Sequence, residues 1–315
     1  MNQKRKSSTR NTTKTVPKIS RRRFLKNQLG GAALGLATVG AIGVPLTGHA
    51  QTKEAFYRVK NNRIQQSVIA WCFNPMPVPE LIEASARMGL RSVELIGPEH
   101  WPLLKKHEMV CAIGGSHGFA KGFAHKEEHE PCIESLRKSI DQTAEAGFFS
   151  VITFSGFRRG ITDEEGTRNM IEGLKKIAGH AEKKKVTLCL EMLNSRVNVT
   201  MKGHPDYFCD DIERTVEICK QVSSERLKVL FDIYHVQIMH GDIITRIKQH
   251  QAWIGHYHTA GVPGRGEIDD TQEINYAPIM KAILETDYKG YVGQEFIPVR
   301  GKIASLNQAA KICDV

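Results

Sequence analysis

Acidic and imidazole side chains recur at the ends of four consecutive apolar runs in the second half of the chain. These residues are Glu191, Asp232, His258 and Glu295. An ionised carboxylate in a buried run is costly unless it is paired or bound to a cation. Three carboxylates brought together would also raise one another's pKa unless a cation compensates their charge. The pattern therefore predicts a site for one divalent metal ion.

The predicted ligand set is rich in oxygen and contains a single nitrogen. This suits Mg²⁺, Mn²⁺ or Co²⁺, with Zn²⁺ as a further option. Alternation along a strand places His256 and His258 on one face, with His258 nearer the strand end. We therefore assign His258 as the ligand and give His256 a supporting or core position. Three further candidates are Glu94 on the second predicted strand, His117 after the third, and His235 three residues after Asp232.

Short apolar runs alternate with amphipathic stretches from about residue 63 onward. The predicted strands span 65–71, 92–96, 109–114, 150–155, 186–193, 227–232, 253–259 and 291–296. The predicted helices span 79–88, 130–146, 165–184, 212–222, 243–249 and 276–285. This alternation predicts an α/β fold, a (β/α)8 TIM barrel, whose chemistry lies at the carboxyl ends of the strands. A dinucleotide-binding open sheet would need a glycine-rich loop after its first strand, and 71–75 (WCFNP) is no such loop.

Charge is unevenly distributed along the chain. The formal net charge is +10, but residues 1–52 hold ten Lys and Arg and no Asp or Glu. The remaining residues, 53–315, carry 34 basic and 34 acidic side chains and are neutral. A nucleic-acid binder needs a clustered positive surface, so we exclude nucleic acid as a partner. We divide the chain into a leader over 1–52 and a single barrel domain over 53–315.

The leader contains the parts of an export signal. Residues 20–26 (SRRRFLK) resemble the twin-arginine motif, with Arg21 and Arg22 as its paired arginines. An apolar run over 29–46 follows, and small residues end at Ala50. We expect the twin-arginine machinery to export the protein to the periplasm, with cleavage near Ala50. An uncleaved signal would instead anchor the protein in the membrane, and no later stretch is apolar enough to cross one.

Seven cysteines are scattered over the barrel region, and none forms a C-x-x-C pair. In a compartment that permits disulfides, an odd number leaves at least one thiol unpaired within the chain. We expect most of them to be small buried apolar side chains. They are Cys72, Cys111, Cys132, Cys189, Cys209, Cys219 and Cys313.

Several motifs resemble those of hydroxypyruvate isomerases, over about residues 64 to 300. They are 151–156 (VITFSG), 190–194 (LEMLN), 261–265 (GVPGR) followed by 273–276 (EINY), and 293–298 (GQEFIP). The wider superfamily is that of the xylose isomerase-like TIM barrels, which includes ketose 3-epimerases. One departure is the loop 266–272 (GEIDDTQ), which is more acidic than the isomerase pattern. An export leader is also foreign to a cytoplasmic enzyme of this family, and both departures bear on the substrate more than on the reaction class.

The resemblance implies roles for the candidate residues. Glu191 and Glu295 would bind the metal and also act as the acid–base pair, and Asp232 and His258 would complete the coordination. In related epimerases a histidine three residues after the aspartate and an arginine after strand seven bind substrate. With two further candidates, the predicted substrate-binding residues are His235, Arg265, His117 and Asn194.

These residue types suit proton transfer beside a carbonyl group. A metal ion acting as a Lewis acid would stabilise the enediolate formed when a glutamate removes a proton from a sugar or keto acid. Returning the proton to the neighbouring carbon gives isomerisation, and returning it from the opposite face gives epimerisation. With hydroxypyruvate as substrate, isomerisation would give tartronate semialdehyde.

Other functions stay open at the level of sequence. A lyase or dehydratase acting on a keto-sugar would use the same enediolate. A metal-dependent phosphodiesterase would need more strand-end histidines and a basic groove, which the neutral barrel disfavours. A non-catalytic sugar-binding module would not need an ionised glutamate pair. Barrels of this type often form homo-oligomers, but no interface can be read from the sequence.

Overall fold

Seven parallel strands line the interior of the protein in a computed structural model that describes residues 56–315. The predicted leader, with Arg21 and Arg22, lies outside the described residues. The strands are β1 (Gln65–Ile69), β2 (Ser92–Glu94), β3 (Ser150–Thr153), β4 (Thr187–Glu191), β5 (Leu227–Asp232), β6 (Ile254–Thr259) and β7 (Tyr291–Gln294). Their order in the sheet is β2-β1-β7-β6-β5-β4-β3.

The gap between the edge strands β2 and β3 is filled by the irregular segment 110–114. Residues at its two ends form parallel bridges, one to β2 and the other to β3. Regular pairing is interrupted where the Ser92 hydroxyl accepts the Ala112 N–H at 2.9 Å. The prediction of a regular strand over 109–114 was therefore wrong. The segment nevertheless closes the barrel, and the predicted TIM-barrel fold class is confirmed.

Helices follow the strands and surround the sheet. In the described part of the chain they are α1 (Val78–Met88), α2 (Trp101–Lys106), α3 (His129–Glu145), α4 (Asp163–Lys184), α5 (Ile212–Val222), α6 (Ile233–Met239), α7 (Ile243–His250), α8 (Tyr276–Glu285) and α9 (Lys302–Cys313). The six predicted helices are confirmed to within two residues at each end. Three helices, α2, α6 and α9, were not predicted.

Capping residues fix where the long helices begin. The Thr162 hydroxyl accepts the Glu165 N–H at 3.2 Å at the start of α4, and the Asp211 carboxylate accepts the Arg214 N–H at 2.7 Å at the start of α5. Such caps satisfy N–H groups that have no partner within the helix. The first turn of α4 also carries three acidic residues and its last turn two lysines, which complement the helix dipole.

The apolar core fills the barrel and the space between the sheet and its helices. All seven cysteines are buried free thiols within it, as the sequence predicted for most of them. Between residues 56 and 315, no helix combines the length and the apolar character needed to span a bilayer.

Strand register brings the predicted site residues to one end of the barrel. Asp232 of β5 pairs with His258 of β6, which in turn pairs with Gly293 of β7. Glu191 is the last residue of β4, and Glu295 directly follows β7. Because neighbouring parallel strands end at the same edge, these side chains lie close together at the carboxyl end of the barrel.

Candidate metal centre and active site

Four side chains from adjacent strand ends meet at the carboxyl end of the barrel. One ligand atom from each lies within 4.8 Å of those of the other three. All four side chains are buried, with at most 4% of each residue exposed. We call them the ligand cluster, and its members are Glu191, Asp232, His258 and Glu295. The structure thus brings together all four residues that the sequence predicted as ligands.

The two carboxylate oxygens of Asp232 have different surroundings. Its Oδ1 accepts the Tyr234 N–H at 2.8 Å and so caps α6. Its Oδ2 has no hydrogen-bond partner among residues 56–315. The nearest cationic or imidazole groups to Oδ2 are Arg265 Nη2 at 3.6 Å and His235 Nε2 at 3.5 Å. A buried carboxylate oxygen without a partner is costly, so Oδ2 is available to a ligand.

A buried arginine supplies positive charge beside the ligand cluster. Arg265 donates from Nη2 to Glu295 Oε2 at 2.6 Å and from Nη1 to the Met201 carbonyl at 2.7 Å. Its guanidinium lies 5.2 Å from the ring centroid of Trp71 and 5.6 Å from that of Tyr234. These contacts hold Arg265 inside the site, where the resemblance implied a substrate contact.

Negative charge dominates the electrostatics of the ligand cluster. Burial and the charge of Glu295 raise the pKa of Glu191 well above its ordinary value, and they raise the pKa of Asp232 to about 7. Burial opposes the ionisation of Glu295, but Arg265 and His258 hold its pKa well below the usual range. A further cation at the cluster would therefore favour the ionised form of all three carboxylates.

His235 is held in one tautomer by Asn194. The ring Nδ1 accepts the Asn194 backbone N–H at 3.0 Å, which places the ring proton on Nε2. The Nε2 atom has no partner in the part of the chain that the structure describes, and it faces Asp232. The Asn194 amide donates to the Lys202 carbonyl at 2.9 Å and accepts the Val197 N–H at 3.1 Å. Asn194 thus positions His235 instead of lining the cavity.

A cavity of about 80 Å³ adjoins the ligand cluster. Its charged lining comes from Glu191, Glu295 and Arg265. The rest of its wall is mostly apolar or aromatic and consists of Trp71, Leu95, Phe119, Ile152, Phe154, Leu193, Met201 and His204. A small polar molecule inside it would contact two members of the ligand cluster and the surrounding apolar side chains.

None of these wall residues was predicted as a site residue, and three of them, Trp71, Phe119 and His204, bring aromatic or imidazole rings to the cavity. Trp71 ends the first predicted strand, so its position alone could have identified it. Phe119 and His204 lie on loops, and their rings pack with centroids 4.5 Å apart. Burial and the charge of Arg265 lower the pKa of His204 to about 4, so its imidazole is neutral.

The other predicted candidates lie around the site. His117 Nε2 is 3.0 Å from the Thr153 hydroxyl, and the ring does not line the cavity. Glu94 lies behind His258, with Oε2 3.1 Å from His258 Nε2 and 3.0 Å from His256 Nε2. His256 therefore contacts a carboxylate outside the ligand cluster, in the supporting position that the sequence indicated.

The ligand cluster fits a divalent cation. Its donors are three carboxylates and one imidazole nitrogen, and one carboxylate oxygen of Asp232 has no partner among the described residues. His258 Nδ1 lies 2.9 Å from Glu295 Oε2 and 3.9 Å from Glu191 Oε1. Metal–ligand bonds of about 2.1 Å place neighbouring ligand atoms roughly 3–4 Å apart. A small contraction of the cluster would therefore suffice to surround an ion.

Comparison with known proteins gives consistent results. The family described as xylose isomerase-like TIM barrel matches residues 82–311. A putative hydroxypyruvate isomerase of Danio rerio is 32% identical over 262 residues, which cover 77% of this chain and 93% of that protein. A 2-oxo-tetronate isomerase of Cupriavidus necator is 37% identical over 136 residues, which cover 43% of this chain and half of that protein.

Solved structures show the same fold at lower sequence identity. An AP endonuclease, family 2, from Brucella melitensis superposes with a TM-score of 0.68 at 23% identity, covering 79% of this chain and 99% of that one. A 3-keto-D-glucoside 4-epimerase from E. coli superposes with a TM-score of 0.66 at 15% identity over the same shares of both chains. The chain belongs to the xylose isomerase-like TIM barrel family.

Proposed function

We propose that the protein is a metal-dependent isomerase that moves a proton between neighbouring carbons of a small hydroxy-carbonyl compound, with hydroxypyruvate as the first substrate to test. The observation that carries this proposal is the ligand cluster itself, whose two glutamates both line the cavity. A structural ion pair would not need three buried carboxylates, one of which has an oxygen without a partner among residues 56–315.

The residues divide the chemistry among them. A bound divalent ion would polarise the substrate carbonyl and neutralise the charge that develops on its oxygen. Glu191 and Glu295 line the cavity and would transfer the proton. One of the two glutamates would remove the proton from the carbon beside the carbonyl, and the same or the other glutamate would return it to the neighbouring carbon. His235 does not line the cavity, and its Nε2–H, which faces Asp232 Oδ2 at 3.5 Å, would help to orient that carboxylate. Arg265 adds positive charge beside the enediolate.

The names of the relatives favour a short substrate. Hydroxypyruvate isomerase and 2-oxo-tetronate isomerase are named for three- and four-carbon keto acids. Arg265 in the cavity lining would offer a positive charge to the carboxylate of such an acid.

A second candidate is epimerisation of a keto-sugar. Both Glu191 and Glu295 line the cavity, and epimerisation requires bases on two faces of one carbon. The two reactions share the enediolate and differ in the carbon that receives the proton. The product therefore distinguishes them.

The test follows hydrogen exchange at carbon. The purified protein is stripped with chelator, reloaded with Mg²⁺, Mn²⁺ or Co²⁺, and mixed in D2O with hydroxypyruvate, 2-oxo-tetronate and a panel of ketoses. Proton NMR should show metal-dependent loss of a C–H signal and formation of the isomer. Glu191→Gln and Glu295→Gln should abolish the exchange.

A matched control is Glu128→Gln. Glu128 is also a buried glutamate, but it pairs with Arg159 and accepts the Gly122 N–H at 2.9 Å, away from the ligand cluster. This variant should keep wild-type exchange. A metal-loaded wild-type protein that exchanges no C–H of any panel member would overturn the isomerase proposal.

A further inference from the structure

We propose that Glu94 is a positioning residue for the metal centre. It holds the His258 ring so that Nδ1 faces the ligand cluster, and it makes that nitrogen a stronger donor. The inference rests on the proposed function, because it takes His258 to be a metal ligand. Glu94 neither belongs to the ligand cluster nor lines the cavity, so its contribution would be transmitted through the imidazole.

Glu94 is a fully buried carboxylate that the fold does not otherwise explain. It is the last residue of β2, and its side chain reaches the interior of the barrel, where β6 presents its two histidines. Its Oε2 lies 3.1 Å from Nε2 of His258 and 3.0 Å from Nε2 of His256. Its Oε1 has no hydrogen-bond partner within residues 56–315. The two imidazoles are thus the groups that compensate this buried charge.

Gly293 leaves the space that this contact occupies. Gly293 of β7 pairs with His258 of β6 in the strand register. A Cβ atom at Gly293 would lie 2.9 Å from His258 Cδ2, 3.0 Å from Glu94 Oε2 and 2.7 Å from the Ile69 side chain. A side chain at this position would therefore require Ile69, His258 or Glu94 to shift. Three strands thus contribute to the Glu94–His258 contact: β2 supplies Glu94, β6 supplies His258, and β7 supplies the glycine beside them.

The contact between Glu94 and His258 would determine which nitrogen of the His258 ring carries the proton. A histidine that binds a metal through Nδ1 must carry its proton on Nε2. Glu94 Oε2 lies within hydrogen-bonding distance of that Nε2–H and would fix the tautomer and the ring orientation. An anionic acceptor also increases the donor strength of the opposite nitrogen. His256 binds the same oxygen and so keeps the carboxylate from rotating away from His258.

The first experiment measures metal affinity in Glu94→Gln. A glutamine retains the shape of the side chain and one oxygen that can accept from both imidazoles, as Oε2 does, but it loses the negative charge. Mn²⁺ titration of chelator-stripped full-length protein by calorimetry should show binding weakened by about 10- to 100-fold. Glu128→Gln, the buried glutamate away from the site, should bind Mn²⁺ as the wild type does.

A second experiment needs no variant. In the Co²⁺-loaded wild-type protein, proton NMR should show a paramagnetically shifted imidazole N–H signal that is present in H2O, exchanges slowly and disappears in D2O. A buried Nε2–H bonded to Glu94 accounts for such a signal, and Glu94→Gln should make it exchange faster. Thermal unfolding in excess chelator shows whether the variant is folded. If it is not, the wild-type signal decides the question.

The outcomes separate this inference from the proposed function. Unchanged Mn²⁺ affinity in folded Glu94→Gln, or a Co²⁺ protein without a slowly exchanging imidazole N–H, would overturn the role of Glu94 and leave the isomerase proposal standing. A wild type that binds two equivalents of Mn²⁺, one of them lost in Glu94→Gln, would make Glu94 a ligand and also overturn it. A wild type that binds no metal would overturn both.

Discussion

Buried carboxylates at the two ends of the barrel differ in what surrounds them. Asp314 follows α9 at the amino end and is surrounded by donors. Its side chain accepts hydrogen bonds of 2.6–3.1 Å from the Tyr57 hydroxyl and from the backbone N–H groups of Lys60, Asn61 and Asn62. At the carboxyl end, the three carboxylates of the ligand cluster face one another, and one oxygen has no partner among the described residues.

This difference shows that the donors around a carboxylate, more than its burial, indicate its role. Burial opposes the ionisation of Asp314, but the hydrogen bonds from Tyr57 and the backbone lower its pKa below the ordinary value. In the ligand cluster, burial and neighbouring charge raise the pKa of Glu191 and Asp232. The first arrangement stabilises the fold, whereas the second keeps ligand atoms available at a cost in stability.

The largest expected effect is the loss of metal binding in Asp232→Asn. Asparagine retains an oxygen that can cap α6 through the Tyr234 N–H, so the fold should persist, but the negatively charged ligand oxygen is lost. Removing a ligand should cost more than removing its supporting contact, so Mn²⁺ affinity should fall by more than about 100-fold. Calorimetric titration measures it. Affinity close to that of the wild type would mean that the cluster does not bind the ion through Asp232.

The matching substitution at the other end, Asp314→Asn, should act on stability alone. Replacing a charged acceptor of several hydrogen bonds should lower the free energy of unfolding by about 2 kcal/mol, while Mn²⁺ affinity stays unchanged. Urea unfolding followed by circular dichroism measures the loss. Asp287→Asn is the control, because that side chain is 95% exposed and should cost nothing measurable. Equal stability of the two variants would contradict the role assigned to Asp314.

The contribution of Asp314 should also depend on pH. Because its pKa is lower in the folded protein, ionised Asp314 stabilises the fold above the pKa of an unfolded aspartate, about 3.9. This stabilisation is lost as pH falls from there through the lower folded-state pKa. The difference in unfolding free energy between wild type and Asp314→Asn should therefore shrink below about pH 4. Urea titrations from pH 6 to pH 3 test this, and a constant difference would contradict it.

The smallest expected effect is that of Glu191→Gln on the stability of the metal-free protein. Burial and Glu295 raise the pKa of Glu191, which favours the neutral form of the metal-free side chain, and glutamine is a neutral group of the same shape. The free energy of unfolding in excess chelator should change by less than about 1 kcal/mol. Urea unfolding in chelator measures it. If Glu191→Gln lowered the free energy of unfolding as much as Asp314→Asn does, the carboxylates at the two ends of the barrel would not differ in their contribution to stability.

Much of the fold followed from periodicity alone, and the failures have physical causes. The predicted helices bury one face, which apolar spacing reveals. In contrast, α6 (IYHVQIM) follows Asp232 without a break and is largely buried, so it shows no clear polar face. The helix α9 is rich in small residues that give a weak pattern. The segment 109–114 has the composition of a strand, but the Ser92 hydroxyl interrupts its pairing.

The ligand cluster was predictable because each member stands at the end of its own strand. The supporting contacts were not, since they join residues that are distant in sequence. Asn194 fixes the tautomer of His235 from 41 residues away, and Glu94 reaches His258 across 164 residues. Alternation indicates the face on which a side chain lies, but it does not indicate the partner that the side chain meets on that face.

The seven buried thiols also bear on how the protein matures. With no covalent cross-link to form, the barrel can reach its final structure in a reducing compartment without a thiol oxidase or a disulfide isomerase. Burial raises the pKa of Cys189 to about 12 and that of Cys209 to about 11, so the reactive thiolate is scarce at neutral pH. If the leader directs export, as the sequence predicts, the folded protein would enter an oxidising environment with thiols that resist oxidation.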